Sequence, residues 1–290
     1  MKPRRLLKKK DYFGHGRFPV VVMRQAAQVG VSLHAHQFIE LVVITGGSGL
    51  HVIDKEAWPI VAGDVFVIGG QRQHGYRDVK DLRLINILYD PDRIAMPARD
   101  LRLLPGYHAL FMLEPVYRKR HKFESRLRLS TDQLVRVDGL IDALHDELSN
   151  AETGYRFMAT ALLMQVVGYL SRSYSLSEES TSEALLRLGE AISYMENHYD
   201  DDISLDRLAG IAHMSRRNFL RVFREGVGKS PIEYLIRLRI ARSAEFLRHD
   251  GLTITEVAYE VRFRDSNYFA RKFHDVLGVS PREYRVERSI

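Results

Sequence analysis

Two groups of residues have types and spacings that could do chemistry. Arg216, Arg217, Asn218, Arg221 and Arg224 crowd one short stretch with no acid before Glu225. Fifty residues on, Ser266, Asn267, Tyr268, Arg271 and Lys272 form a second polar stretch. Arginine bonds guanine through two donors, asparagine bonds adenine through a donor and an acceptor, and a helix fits the major groove of DNA. The other group is His34, His36 and Glu40, followed by Gly63-Asp64 and His74. On a strand, residues two apart share a face, and Glu40 has the parity of both histidines. Imidazole and carboxylate from facing strands could hold a divalent metal, bind an organic effector, or satisfy one another.

The first group needs helices to present it, and an internal repeat supplies them. Phe219, Phe223, Gly228, Ser230, Pro231 and Tyr234 recur fifty residues later as Phe269, Phe273, Gly278, Ser280, Pro281 and Tyr284. Upstream, Leu205-x-x-Leu208-Ala209 parallels Ile254-x-x-Val257-Ala258. Each copy reads as helix, turn, helix. In the first, Ser204 caps Leu205 to Ala212, His213 and Met214 turn, and Ser215 caps the second helix. In the second, Thr253 or Thr255 is the cap, the turn falls near Arg262 to Asp265, and a helix starts at Ser266. Gly228 ends one reading helix and Pro231 opens the next at a permitted first position. Pro231 to His249 reads as one connecting helix with Leu235, Leu238, Ala241, Ala244 and Leu247 as its apolar stripe. At ~1.5 Å per residue it spans roughly 28 Å, close to the ~34 Å of one DNA turn.

The second group needs strands. Apolar runs at Phe38 to Thr45, Leu50 to Ile53, Val65 to Ile68 and Leu82 to Tyr89 suggest an antiparallel barrel or sandwich. Gly46-Gly47-Ser48-Gly49 reads as a hairpin turn; it lacks the lysine of a phosphate loop. Arg24 and Arg72 are further candidates for the barrel interior. Leu134, Val137, Ile141, Leu144 and Leu148 have the 3-4 spacing of a short coiled coil, which is also that of a helix packed on a barrel. Tyr155 to Leu170 is apolar nearly all round and reads as buried against that helix. Ser171 to Ser182, with six serines, reads as a flexible linker.

Charge says little by itself. The net charge of +6 equals the six cations of the first ten residues, and from Glu190 onward 17 Lys and Arg face 16 Asp and Glu. The basic N-terminus reads as a solvated arm. The absence of cysteine excludes disulfides, thiolate zinc sites and a cysteine nucleophile. The longest apolar run is too short to span a bilayer, so no membrane partner is expected and the default location is the cytoplasm.

The stretch from about Leu188 to Arg285 resembles the DNA-binding domain of the AraC/XylS family. The likeness rests on Arg239-Ile-Ala-Arg, Ile254-Thr-Glu-Val-Ala-Tyr, Asp265-Ser-Asn-Tyr-Phe-Ala-Arg-Lys-Phe and Gly278-Val-Ser-Pro-Arg-Glu-Tyr. It implies base contacts from Arg217, Leu220 and Arg221 and from Asn267, Tyr268 and Arg271, flanked by Arg216 and Ser266. Where the family usually has glycine before the aromatic of the second turn, this chain has Arg262. If the position needs a positive φ, arginine costs roughly 1 kcal/mol or more there, and the unit is strained or turned differently.

The histidine group resembles the two cupin motifs. His36-Gln-Phe-Ile-Glu-Leu-Val-Val-Ile, Gly49-Leu-His-Val, Asn86-Ile-Leu-Tyr-Asp-Pro-Asp-Arg and Leu104-Pro-Gly-Tyr are similar to the rhamnose-operon regulators of the same family. These likenesses imply an α+β chain: an N-terminal cupin-like antiparallel β-barrel with a helical dimerisation segment, then an all-α domain with two helix-turn-helix units. The expected divisions are a basic arm (1–17), an effector-binding domain (18–125), a helical pair for dimerisation (126–170), a linker (171–186) and the DNA-binding domain (187–287). The implied function is transcription regulation, as an activator answering to a sugar or related metabolite bound near His34, His36, Glu40 and His74. Double-stranded DNA, RNA polymerase and a second copy are the implied partners, with no catalysis, no cofactor and no resident metal. The rival reading is a metal-dependent cupin enzyme fused to a DNA-binding domain, with the same four residues as ligands.

Overall fold

The computed structural model describes residues 5–14, 16–26, 29–69, 72–94, 99–118, 126–176, 180–249 and 251–287. Contacts divide the chain into two units, Met1–Gly189 and Glu190–Ile290. The architecture is α+β, as the patterning predicts.

In the first unit, a short strand β1 (Arg5–Leu7) and helix α1 (Lys9–Phe13) precede β2 (Val20–Gln25), β3 (Val31–His36), β4 (Ile39–Ile53), β5 (Glu56–Val61), β6 (Asp64–Ile68) and β7 (His74–Tyr89). The ladder between β4 and β7 is the spine of the sheet. Beyond β7, β2 pairs with its C-terminal half and β3 with its N-terminal end. Beyond β4, β6 pairs with its N-terminal part and β5 with its C-terminal part. All these pairings are antiparallel; β1 alone among the described strands pairs in parallel, with β3.

The spine bends where its register shifts, between Ile44 and Leu50 on β4. Opposite these shifts Asp78 and Asp81 have left-handed backbones, and Gly47 has φ +69°. A Cβ on Gly47 would lie 2.1 Å from the Asp81 carbonyl oxygen. Gly46-Gly47-Ser48-Gly49 is therefore a bulged bend within one strand, not the hairpin turn its composition suggests. Both roles call for glycine, for backbone freedom and close approach. The turn itself falls at Asp54, which has φ +55°.

Alternation along the bent ladder sorts the core. Val42, Ile44, Ile53, Trp58, Ile60, Phe66, Ile68, Tyr76, Leu82 and Leu84 form one buried cluster. The odd-numbered Leu41, Val43, Ile85 and Ile87 are also buried, so both faces of the spine are covered.

Helical segments follow: α2 (Pro105–Tyr107), a π-helical stretch (His108–Leu113) and α3 (Glu114–Tyr117), then the two-residue β8 (Leu127–Arg128) on β6. In α3, Glu114 and Arg118 make a fully buried ion pair, with the guanidinium over the Phe66 ring.

Helix α4 (Thr131–Asn150) starts at a capping box of Ser130 and Gln133 and packs on α5 (Tyr155–Ser175) and β2. Its 3-4 seam lies inside the chain, with Val137, Ile141 and Leu144 fully buried. Of the two meanings of that spacing, the packed helix is the one realised. Ser171 to Ser175 complete α5 and Ser180 opens α6 (Ser180–Asn197), so most of the serine-rich stretch expected as flexible linker is helical. Residues 177–179 lie outside the described part.

The second unit is all helical: α7 (Leu205–Ile211), α8 (Arg216–Val227), α9 (Pro231–His249), α10 (Ile254–Glu260), α11 (Ser266–Leu277) and α12 (Pro281–Glu287). The connector α9 has the bounds its sequence predicts. Its stripe differs at one place: Ala241 is exposed and Ile240 is buried, because α9 packs against elements of both repeats. Phe219, Phe223, Phe269 and Phe273 are all fully buried. Phe223 meets Tyr234 edge-on at 5.8 Å and 76°, and Phe273 meets Tyr284 at 5.5 Å and 75°. The sequence repeat is a repeat of packing geometry.

The glycine bend yields a sharp contrast. Gly47→Ala is expected to destabilise the first unit by at least about 2 kcal/mol, through a left-handed backbone and a clash with main chain. Gly49→Ala, whose Cβ would meet the Val79 side chain at 3.1 Å, is expected to cost much less. Urea unfolding followed by fluorescence of Trp58, the chain's one tryptophan, reports on this barrel core. Equal midpoints for the two variants would contradict the assigned bend.

Candidate effector cavity and nucleic-acid interface

The helices that present the arginines are built by their ends. Ser204 and Ser215 accept from Arg207 N and Asn218 N, at 3.1 and 3.4 Å. Thr253, not Thr255, caps α10 and forms a capping box with Glu256. Asp265 caps α11, accepting from Tyr268 N at 2.7 Å. Between the helices of each pair the chain closes in the same way: Met214 N donates to Ala209 O at 2.9 Å, and Phe263 N to Ala258 O at 2.8 Å.

Each closure passes through one left-handed residue, His213 at φ +51° and Arg262 at φ +63°. Arg262 thus occupies the positive φ that the glycine of related chains suggested. The second turn is not turned differently, and whatever strain it carries is shared by the first. The Arg262 side chain reaches Asp202 at 3.0 Å, with Arg264 on the same carboxylate at 3.2 Å. The hydrogen bond and charge of Arg262 hold Asp202 below its usual carboxylate range.

On α8, Arg216, Arg217 and Arg221 are exposed and Leu220 is half-buried. Arg216 lies 3.5 Å from Asp206. Arg221 is held by Glu225 at 2.9 Å and by Asn218 Oδ1 at 2.7 Å. Arg217 has no ion pair or hydrogen bond among the described residues. On α11, Asn267, Tyr268 and Arg271 are exposed and Ser266, at the first helical position, is half-buried. Arg271 and Lys272 each lie 5.8 Å from the Tyr268 ring. Both second helices thus turn a cationic and amide-bearing face to solvent while their phenylalanines anchor the opposite face.

In the first unit, β3, β4 and β7 bring the four candidate effector residues together. His34 and His74 are cross-strand partners with ring centroids 4.3 Å apart. His36 Nε2 and His74 Nε2 lie 3.0 and 3.1 Å from Glu40 Oε2. His36, Glu40 and His74 are buried and His34 is half-buried. Burial alone would raise the pKa of Glu40, but His36 and His74 beside it outweigh that and hold the carboxyl below its usual range. Desolvation, helped by the charge of His74, lowers the pKa of His34.

His34, His36 and Glu40 line a cavity of about 330 Å³. His74 is not among its lining residues. The remaining lining residues include Tyr76 and Asn86, whose Oη and Oδ1 are buried without a hydrogen-bond partner among the described residues. Sequence reasoning missed both, although Tyr76 shares the parity of His74 and Asn86 interrupts an apolar run. Arg24 is not in the cavity: it faces away and pairs with Asp138 and Asp142 of α4, at 2.8 and 2.5 Å. Arg72 does not line the cavity; its carbonyl accepts from His74.

Leu7 and Tyr12 complete the wall. The basic arm is therefore not a solvated tail over residues 5–13. Lys9 pairs with Asp90 at 2.6 Å, Arg93 donates to the Phe13 and Arg17 carbonyls, and the Phe13 ring is buried edge-on to Phe38. Nothing in its charge pattern signals this; the apolar Leu7, Tyr12 and Phe13 among the cations were the available clue.

Among the described residues no helix is long and apolar enough to cross a membrane. A model of the AraC-like ligand binding domain matches residues 21–167, and a helix-turn-helix domain model matches residues 208–287. The chain is 31% identical over 281 residues to the HTH-type transcriptional activator RhaR of Cronobacter sakazakii, covering 97% of this chain and 95% of that one. It is 28% identical over 279 residues to the HTH-type transcriptional activator RhaS of an Enterobacter species, covering 96% of each. With half its length matched by the ligand-binding domain model and nearly all of it aligned to such relatives, the chain belongs to the AraC family of regulators, joining an AraC-like ligand-binding domain to a C-terminal helix-turn-helix domain.

Proposed function

We propose that this protein is a sequence-specific DNA-binding transcriptional activator, governed by a sugar or related polyhydroxylated metabolite held in the N-terminal cavity. The observation that carries the DNA half is duplication. Two reading helices, each capped by a side-chain oxygen (Ser215 and Asp265) and sharing the same turn closure and the same buried anchors, present Arg217 and Asn267 outward. The ~28 Å length of the helix joining the two repeats suits readers in successive major grooves. Base readout belongs to Arg217, Leu220 and Arg221 on α8 and to Asn267, Tyr268 and Arg271 on α11, with Arg216 and Ser266 at the helix starts near the phosphates. The relatives named as activators support a positive sign of regulation, with RNA polymerase as partner, and they support a regulator rather than an enzyme.

The effector half rests on the cavity. Its unpaired Tyr76 and Asn86 oxygens, with His34, His36 and Glu40, suit a ligand rich in hydroxyl groups, since specific pockets use a few fixed polar atoms in an otherwise apolar lining. The homodimer remains part of this reading. It requires a surface other than the Val137, Ile141 and Leu144 seam, which is filled within the chain.

Selection of tight binders from random duplexes by full-length protein at physiological salt tests the DNA half. The expected result is two short blocks about 10 base pairs apart. Arg217→Ala and Asn267→Ala should each weaken binding about tenfold to a hundredfold and relax preference in one block only. Equal affinity for scrambled duplexes would refute sequence-specific regulation.

The docked arm gives a separate expectation. Removal of residues 2–10 takes Leu7 from the cavity wall and Lys9 from Asp90, so it should shift the effector dose needed for transcription in vitro while leaving operator affinity intact. An unchanged dose response would remove the arm from the regulatory mechanism. A panel of monosaccharides and sugar acids, scored by thermal stabilisation of the first unit, tests the effector class. At a hundredfold excess over Kd the stabilisation should approach ~2.7 kcal/mol.

A further inference from the structure

The two turns that lead into the reading helices close alike but differ in length. In the first, Met214 N closes on Ala209 O and the next residue, Ser215, caps α8. In the second, Phe263 N closes on Ala258 O, and Arg264 stands between it and the cap Asp265. The longer turn presents two exposed arginines, Arg262 and Arg264, on either side of buried Phe263. Arg264 lies two residues before Ser266, which the functional reading places near the phosphates. The Asp265 carboxylate beside it is committed to Tyr268 N at 2.7 Å.

What meets both arginines is Asp202, on the loop between α6 and α7. Its carboxylate lies 3.0 Å from Arg262 and 3.2 Å from Arg264. That side chain is not what seats the loop. Arg239 of α9 does so through the backbone, donating to the Tyr199 and Asp201 carbonyls at 2.6 and 2.8 Å. Exposed ion pairs contribute little to stability, so the effect of Asp202 is on charge. Arginine gives phosphate the same paired donors that it gives a carboxylate. Asp202 therefore competes, within the chain, with any phosphate that approaches the second turn.

We propose that Asp202 sets the sequence-independent part of DNA affinity, by holding Arg262 and Arg264 away from the duplex backbone. Backbone contacts fix position without reading sequence, and each neutralised phosphate tightens binding to any duplex. With two cations balanced inside the protein, the second reader depends more on the base contacts of Asn267, Tyr268 and Arg271. This role rests on α11 entering a groove, as proposed above, and not on which sequence it prefers or on any effector.

The test measures binding of full-length protein to a random-sequence duplex across a salt series. Each arginine released to a phosphate should add about 0.9 to the slope of log affinity against log salt. Asp202→Asn is thus expected to steepen the slope by about 1–2 and to tighten binding roughly tenfold at ~50 mM salt. Asp200→Asn removes the same charge from the same loop, where the Asp200 side chain makes no ion pair among the described residues; it should move the slope by less than about 0.5. Combining Asp202→Asn with Arg262→Gln and Arg264→Gln should restore the wild-type slope. Thermal melting by circular dichroism checks that each variant is folded, and Arg239 keeps the loop seated in all of them. A wild-type slope in Asp202→Asn, an equal steepening in Asp200→Asn, or a steepening that persists in the triple variant would each overturn the proposal. Sequence preference is read separately, by selection from random duplexes, so either reading can fail alone.

Discussion

The bent ladder between β4 and β7 is the constraint on which the N-terminal unit depends. Two strands of 15 and 16 residues cannot stay flat and also enclose a core. The register shifts from Ile44 to Leu50, facing left-handed Asp78 and Asp81, divide the pair into two halves that recruit different neighbours. Once the bend is placed, β2 and β3 follow on one flank and β5 and β6 on the other. Strand alternation then turns Glu40, Val42 and Ile44 to the same side. The polar cluster is therefore a consequence of parity: the positions that carry apolar side chains deeper in the barrel carry histidine, glutamate, tyrosine and asparagine where β3, β4 and β7 meet.

The C-terminal unit depends on a different device, used twice. A seven-residue helix is too short to hold itself together in water, so its stability comes from packing and from its ends. Each short helix is capped and closes onto its successor through one left-handed residue, and in the second pair Val257 and Ala258 pack in one cluster with Phe269, Phe273 and Tyr284. Placing histidine and arginine at the left-handed positions costs each turn roughly 1 kcal/mol relative to glycine. The exchange leaves both side chains exposed, and Arg262 uses its exposure to reach Asp202.

Much of this was legible in the sequence because it rests on local rules. The fifty-residue repeat, the cap residues Ser204, Ser215 and Thr253, the closing glycines Gly228 and Gly278, and the bounds of the connecting helix all follow from short-range chemistry. The gathering of His34, His36, Glu40 and His74 was legible from parity and spacing. What escaped reading was set by tertiary context. Gly46 to Gly49 has the composition of a turn, and only the partner strand makes it a bulge. The seam from Leu134 to Leu148 has one spacing for two kinds of partner, and the choice belongs to α5 and β2. The arm's charges suggest a tail, whereas Leu7 and Phe13 dock it. Arg24 has the wrong parity for the cavity, a fact visible only once the bounds of β2 and its partner are known.

The cavity sets what an occupant would do to the unit that holds it. Unpaired polar atoms in a buried wall cost about 1–3 kcal/mol each, and Tyr76 Oη and Asn86 Oδ1 are two such atoms among the described residues. An apolar filling would make a more stable barrel and an indifferent one. With the polar wall retained, whatever enters and pairs with those atoms returns part of that cost, so occupancy and folding stability of the unit are linked. Leu7 and Tyr12 belong to the same wall, and an occupant that touches them stabilises the docked arm by the free energy that the arm adds to its affinity. A coupling of ~1–3 kcal/mol lies within the range by which one site commonly biases another.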